Sequence, residues 1–268
     1  MSTSANTLSG DAPRYPAGLH DFGGGIFGWL TPNGGWGESN AGLIVGHGAA
    51  LLVDTLWDLR QTRRMLEAMA KPLTAGPIRQ VVNTHSDGDH WWGNQLVAGA
   101  EIIATKAAAR VMAHDTPVHM TRLRRLTQVF HGLSRLPLSK RWQEHWRTLD
   151  HYFSGMMQPF DFRSIQPAPA TSTFSGSLRL EVGGREVRLL EVGPAHTAGD
   201  LIVHVPDARL VFAGDILFLG STPVLWEGSV ANWLTALDRI LALEVDQVVP
   251  GHGPVGDGAD IDPLKGYW

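Results

Sequence analysis

The chain has 268 residues, with no cysteine, 31 glycines, 16 prolines and a formal charge of −4. At 43% hydrophobic and 18% charged it can bury a core, and the length fits one or two domains. Zero cysteines exclude disulfides, thiol nucleophiles and Cys-based metal sites, and the acidic balance gives no general attraction to nucleic acid.

Residues 1–16 have neither a basic start nor an apolar stretch, so they read as a disordered leader before one domain over 17–268. No apolar run approaches the roughly 20 residues of a membrane span, and the expected compartment is the cytoplasm. Ala41–Val45 and Ala50–Val53 flank Gly46-His47-Gly48 as a predicted hairpin. A helix follows over Leu59–Ala70, stopped by Lys71-Pro72, and then a buried strand over Ile78–Val82 that runs into Asn83-Thr84-His85. Ile102–Ala104 reads as a strand and Ala107–Ala113 as a short helix.

The second half repeats this grammar. Leu178–Val182 and Arg185–Val192 form a hairpin across Gly183-Gly184. Leu201–Val205 and Leu210–Ala213 are strands around Pro206-Asp207. Val230–Leu243 is an amphipathic helix, and Gln247–Pro250 a last strand before Gly251-His252-Gly253. Strands and helices in both halves, with chemistry-bearing loops after strands, indicate a layered α/β protein.

Between the halves, Met112–Arg163 carries eight Lys/Arg against four acids. Leu123, Leu126, Phe130 and Leu133 fall at helical spacing, as do Trp142, Trp146, Leu149 and Phe153. Pro137 separates the two predicted helices and Pro159 ends the second. Such an insert, over about residues 112–168, is either a solvated helical pair packed on the core or a cap over an active site.

Five segments place imidazole or carboxylate beside glycine or at strand ends: Val53-Asp54-Thr55, Thr84-His85-Ser86-Asp87-Gly88-Asp89-His90, Pro194-Ala195-His196-Thr197, Ala213-Gly214-Asp215 and Gly251-His252-Gly253. A lone histidine near a strand end is usually a satisfied core or surface residue, and a lone Asp87 or Asp89 a turn residue or helix N-cap. Seven imidazoles and carboxylates in this order make a donor set for Zn, Fe or Mn, sufficient for two ions. Trp91-Trp92 beside His90, and likewise Trp57 and Trp226, fit either core packing or an aromatic substrate wall. Gly23-Gly24-Gly25 lacks the Lys-Ser/Thr of a phosphate loop, and no Gly-x-Ser-x-Gly elbow is present.

With these motifs the sequence resembles the metallo-β-lactamase superfamily, over roughly Phe22–Val255. Gly35-Trp36-Gly37-Glu38-Ser39-Asn40-Ala41-Gly42, Pro-Ala-His-Thr and Phe-Ala-Gly-Asp are similar to a branch with polyketide cyclase and thioesterase-like members. The resemblance implies an αβ/βα four-layer sandwich with metals at one edge. It implies His85, Asp87 and His196 at a first metal position, and Asp89, His90 and His252 at a second. Asp215 matches the bridging carboxylate, with Asp89 and Asp215 as the catalytic pair, and Asp54 a buried support for the ligand loop.

Asp87 stands where most of the family has a second histidine. It is shorter, anionic and harder, which leans the first position from Zn toward Fe or Mn. The function implied is hydrolysis by a metal-activated water of an ester, thioester, lactone or related acyl bond. The substrate expected is a small molecule, aromatic or anionic, in keeping with the basic, aromatic-rich insert. The alternative is a non-haem diiron oxidoreductase, favoured by Asp87 and disfavoured by the absence of a flavin domain in these 268 residues.

Overall fold

The computed structural model describes residues 12–32, 37–137, 139–157 and 159–268, excepting the side chains of Phe130, Tyr152, Ser154, Gly155 and Met156. Residues 1–11 of the expected leader and Gly35-Trp36 of the glycine-rich motif lie outside the described residues, as does the Phe130 side chain of the first helical stripe. Farther along that leader, Arg14 donates to the Gly220 carbonyl (2.8 Å) and the Tyr15 hydroxyl to Glu38 (3.3 Å).

Two sheets are built from the two halves of the chain. The first holds β1 (Gly18–Asp21), β2 (Ile26–Leu30), β3 (Ala41–Gly46), β4 (Ala49–Val53), β5 (Ile78–Val82), β6 (Glu101–Thr105) and β7 (Ser172–Phe174), in that spatial order. The pairing is antiparallel from β1 to β4 and parallel from β4 to β7. The second holds β8 (Ser177–Val182), β9 (Arg185–Glu191), β10 (Leu201–Val205), β11 (Leu210–Phe218) and β12 (Gln247–His252), with β11 and β12 parallel and the others antiparallel.

Alternating side chains divide the core into layers, as strand geometry requires. Ile26, Ile44, Leu51, Val53 and Val82 of the first sheet meet Val187, Leu189, Leu201, Val203, Phe212 and Val249 of the second. The opposite face of the first sheet, including Leu43, Leu52 and Val81, packs on Met65 of α1 (Leu59–Ala68) and on Met69. The opposite face of the second, including Ile202, Val211 and Val248, packs on Trp233, Leu237 and Ile240 of α6 (Val230–Leu241) and on α7 (Ile261–Tyr267). This helix–sheet–sheet–helix order is the αβ/βα sandwich expected. Along the chain, α2 (Gly88–Trp91) lies between β5 and β6, and α3 (Lys106–Met112), α4 (Val118–Leu133) and α5 (Lys140–Met157) lie between β6 and β7.

The sequence and the structure differ where local signals were weak. The first helix ends at Ala68, because the chain tightens into a 3₁₀ turn over Pro72–Ala75. Strand β11 does not stop at Ala213; it bulges at Gly214 and runs buried to Phe218. In the helical insert, Leu123 packs on a buried aromatic cluster, but Leu126 and Trp142 are 50% and 57% exposed. The two expected stripes are therefore only partly covered.

The sheets are tied at one end by Asn40, which is 2% exposed. Its backbone N–H donates to the Gly251 carbonyl (2.8 Å), and its side-chain amide donates to the carbonyls of Pro250 (3.0 Å) and Gly253 (2.8 Å). Its own Oδ1 accepts from the Thr31 N–H (3.3 Å). Asn40→Ala leaves two carbonyls short of a partner, each worth ~1–3 kcal/mol when buried. Chemical denaturation should therefore show a loss of about 2–4 kcal/mol, together with weaker retention of metal because His252 sits inside the clamped turn.

Candidate metal centre

All seven residues singled out from the sequence converge where strand ends of the two sheets meet. Strand β5 delivers the loop His85–His90, which closes into the single turn of α2. Asp87 occupies the N-cap position of that turn, but its carboxylate makes no capping bond; Oδ2 instead lies 3.1 Å from His196 Nε2. The second sheet brings His196 after β9, Asp215 on β11 and His252 at the end of β12. The bulge at Gly214 (φ +52°) redirects β11 at Asp215, the kind of re-aiming that bulges near active sites achieve. Gly251 has no side chain where a Cβ would strike Asp215 Oδ1.

Asp215 is the shared centre. One of its oxygens lies 3.3 Å from His196 Nε2, 3.2 Å from His252 Nε2 and 3.8 Å from His85 Nε2, and the other lies 3.1 Å from His90 Nε2. Donor atoms within 4.8 Å of one another define three overlapping triads: His85–Asp87–His196, His85–His90–Asp215 and Asp89–His90–His252.

The imidazoles are oriented from behind. Asp54 (φ +59°) accepts the Thr84 N–H at Oδ1 and the Thr84 hydroxyl at Oδ2, both at 2.7 Å, and the His90 Nδ1–H at 2.9 Å. With its proton given to Asp54, Thr84 Oγ1 accepts from His85 Nδ1 (2.9 Å). His196 Nδ1 donates to the Val224 carbonyl (2.6 Å). In its neutral form each of these rings carries its proton on Nδ1 and turns a bare Nε2 inward, the arrangement that acceptors behind metal-binding histidines impose. His252 is held differently, stacked on Phe218 with ring centroids 5.0 Å apart.

This pocket fits divalent cations. His85 Nε2, His90 Nε2 and Asp215 Oδ1 are buried and make no hydrogen bond, which in a native interior calls for an ion. With neutral imidazoles, Asp54, Asp87, Asp89 and Asp215 present four negative charges, which two divalent ions balance. The same field governs titration. Burial opposes charge throughout, yet Asp215 and Asp89 hold His90 well above the usual imidazole range. Against the same burial, Asp215 and Asp87 hold His196 up to about 9. Burial, reinforced by His90, pushes His85 well below it. Asp215 is kept well below the carboxylate range by the four surrounding imidazoles despite its burial.

Three functional supports had no reading in the sequence. Asn40 clamps the His252 turn. Asp200 shapes the His196 turn, accepting the N–H groups of Ala195 and Thr197 (3.0 Å each) and the Thr197 hydroxyl (2.7 Å), and burial pushes its carboxyl up to about 6. Thr84 relays Asp54 to His85. The only available signals were local polar residues at turn spacing. Of the tryptophans with two readings, Trp57, Trp91 and Trp92 are core, at 7%, 0% and 2% exposure. Trp92 lies beneath the helical insert, against Phe162, His119 and Asp115 of that segment. Of the two readings for Trp57, Trp91 and Trp92, core packing holds and the aromatic substrate wall is corrected. Trp226 is 64% exposed and donates its indole N–H to Asp87 Oδ2 (2.9 Å).

Residues 34–252 match the model of the metallo-β-lactamase superfamily. The chain belongs to that superfamily. Among curated superfamily relatives, the 2,4-dinitroanisole O-demethylase subunit alpha of a Nocardioides species is 24% identical over 78% of this chain and 51% of its own length. Hydroxyacylglutathione hydrolase of Brucella ovis is 32% identical over 37% of this chain and 41% of its own length. The matches thus span about half the length of these relatives, or less. The fold is shared with a metallo-β-lactamase from Pontibacter korlensis at TM-score 0.65 and 18% identity, covering 94% of this chain and 98% of that one. A metallo-β-lactamase from Pseudomonas aeruginosa, solved in a mono-zinc form, gives TM-score 0.60 at 19% identity, covering 94% of each. Superfamily membership carries with it a fold that generally holds divalent metal ions, and the His/Asp cluster suits them. Among the described residues no helix is long and apolar enough to cross a membrane.

Two outcomes follow from the orienting bonds and the charge field. Asp54→Asn, chosen because asparagine tolerates the left-handed backbone there, should weaken metal binding about 10–100-fold in chelator competition. In metal-stripped protein, protonated His196 stabilises the fold fully below its unfolded value of about 6.5, and that contribution is lost as pH rises through about 9. The melting temperature of stripped protein should therefore fall across that window, while metal-loaded protein, whose rings no longer take up protons, stays level.

Proposed function

We propose that the chain is a metal-dependent hydrolase with two divalent ions, acting on an ester, thioester or related acyl bond of an aromatic or anionic small molecule. The observation that carries this reading is the convergence of buried, hydrogen-bond-free His85 Nε2, His90 Nε2 and Asp215 Oδ1. His85, Asp87 and His196 would hold one ion, Asp89, His90 and His252 the other, with Asp215 between them. When bound, such ions supply a water nucleophile at neutral pH and a Lewis acid for the scissile carbonyl.

The chain's own groups supply orientation and proton handling. Asp54, Thr84 and the Val224 carbonyl hold the Nδ1 side of His90, His85 and His196 and so aim their Nε2 atoms inward. Asp89 Oδ2 lies 3.6 Å from both His90 and His252, and burial pushes its carboxyl above the usual range. Its place beside both imidazoles makes Asp89 the carboxylate suited to accept a proton from the nucleophile and return it to the leaving group. His85 and His90, at 1% and 0% exposure, form a floor closed to bulk water.

The substrate class rests on two features and two relatives' names. The exposed ring of Trp226 at the mouth suits an aromatic or flat apolar group. In the helical insert, Thr121, Arg124, Arg125, Gln128, Phe162 and Arg163 line a cavity of about 130 Å³. Arg163 is paired in a fork with Asp161, and Arg124 and Arg125 are two further basic side chains of that lining, suited to an anionic substrate group. One curated relative is named for hydrolysing an acylated glutathione and another for demethylating an aryl ether, which supports acyl–thiol and aryl substrates. Asp87, as a hard anionic ligand, favours Fe or Mn beside Zn at the first position.

The test is metal analysis of protein purified without added metal, then chelator stripping and reconstitution with Zn, Fe(II) or Mn. Each form is assayed on acyl-glutathione thioesters, aryl esters, an aryl methyl ether and a β-lactam. Hydrolysis should vanish on stripping and return with metal, and Asp87→His should shift retention toward Zn. Arg124→Ala/Arg125→Ala should raise KM for anionic thioesters several-fold with kcat nearly unchanged. Turnover indifferent to metal, or none on any of these bonds by loaded protein, would reject the reading.

A further inference from the structure

The segment after β11 does more than connect it to α6. Val224–Gly228 wraps the back of the His196 turn. The Val224 carbonyl accepts from His196 Nδ1, the Trp226 N–H donates to the His196 carbonyl (2.9 Å), and the Gly228 N–H donates to the Ala195 carbonyl (3.1 Å). This backbone pairing sets the indole of Trp226 beside the His196 ring, with centroids 6.5 Å apart. From there its N–H reaches Asp87 Oδ2 at 2.9 Å.

One short strap therefore grips two of the three residues of the first metal position. It holds His196 through a carbonyl and Asp87 through an indole N–H. Asp87 has need of such a grip. It makes no capping bond to its own helix, and the two partners recorded for its carboxylate are His196 and Trp226. An aspartate is also shorter than the histidine common at this place, so its reach depends on how the carboxylate is held.

We infer that Trp226 is a positioning residue for the first metal position, acting through Asp87: its indole N–H fixes the carboxylate facing His196. The inference rests on the dinuclear reading above. Trp226 does not itself ligate, since a protonated indole nitrogen is a donor only. It acts as the outer partners of metal ligands do, whose loss typically weakens metal affinity about 10–100-fold. Because the side chain is 64% exposed, Trp226→Phe removes the N–H and leaves the hydrophobic core untouched.

The experiment is Zn(II) and Co(II) titration of the full chain against a chromophoric chelator, with ion stoichiometry measured after gel filtration. Wild type, Trp226→Phe, Asp87→His and the double variant are compared, and Asp87→Ala marks which binding step belongs to the first position. Trp226→Phe should weaken that step about 10-fold or more and alter the Co(II) absorption bands, leaving the other step in place. In the Asp87→His background the same change should alter affinity less than about 2-fold, because the acceptor of the N–H is gone. Two ions bound by Trp226→Phe with wild-type affinity would overturn the inference alone. An equal loss in both backgrounds would overturn it too, since the residue would then act on the strap and not on Asp87. A wild type that binds fewer than two ions, or an Asp87→Ala variant that loses none, would overturn the dinuclear reading and the inference with it.

Discussion

Concentrating four carboxylates and four imidazoles in a water-poor pocket is the constraint around which this molecule is organised. An isolated buried carboxylate costs several kcal/mol even after the surroundings relax. Asp54 answers that cost locally, with the Thr84 amide and hydroxyl and the His90 ring as donors. Asp200 does so as well, with two backbone amides and a hydroxyl. Asp215 is not so answered, because one of its oxygens and the Nε2 atoms of His85 and His90 make no hydrogen bond. Among the described residues, Asp54 and Asp200 behind the pocket are fully engaged while His85 Nε2, His90 Nε2 and Asp215 Oδ1 at its centre are not, an arrangement that suits bound cations.

The two sheets share the work unequally. The first supplies a contiguous loop, His85–His90, whose four donors arrive on one turn. The second supplies single residues from the turn after β9, from within β11 and from the end of β12, so their convergence depends on strand register. The bulge at Gly214 and the Asn40 clamp are the devices that set it. The His85–Asp87–His196 triad, by contrast, is bordered by a surface strap and includes Asp87, whose side chain is 33% exposed.

Much of this was legible in the sequence because the ligands sit in motifs anchored to strands with clear apolar runs. His85, His90, Asp215 and His252 could be named from their glycine and strand context alone. Asn40 could not, since its partners lie across the sandwich and no local pattern announces them. Asp215 was read as following a strand end, because Gly214 looks like a terminus; in the fold it is a bulge inside one continuous buried strand. The short strands β1 and β7 carry too few residues to show a period. In α4, apolar spacing was present, but spacing does not say whether a neighbour exists to cover it, and Leu126 and Val129 stay half exposed.

The Asn40 clamp has a bearing on how the molecule is made. It joins residues 213 positions apart in the chain. At about 5–20 residues per second of synthesis, about 10–40 s separate the appearance of its two ends. For most of that interval the His85–His90 loop has been made while His252 has not. An ion met early would therefore find only the donors of the first half of the chain. Closure of the sandwich, more than the encounter with metal, then times the completion of the site.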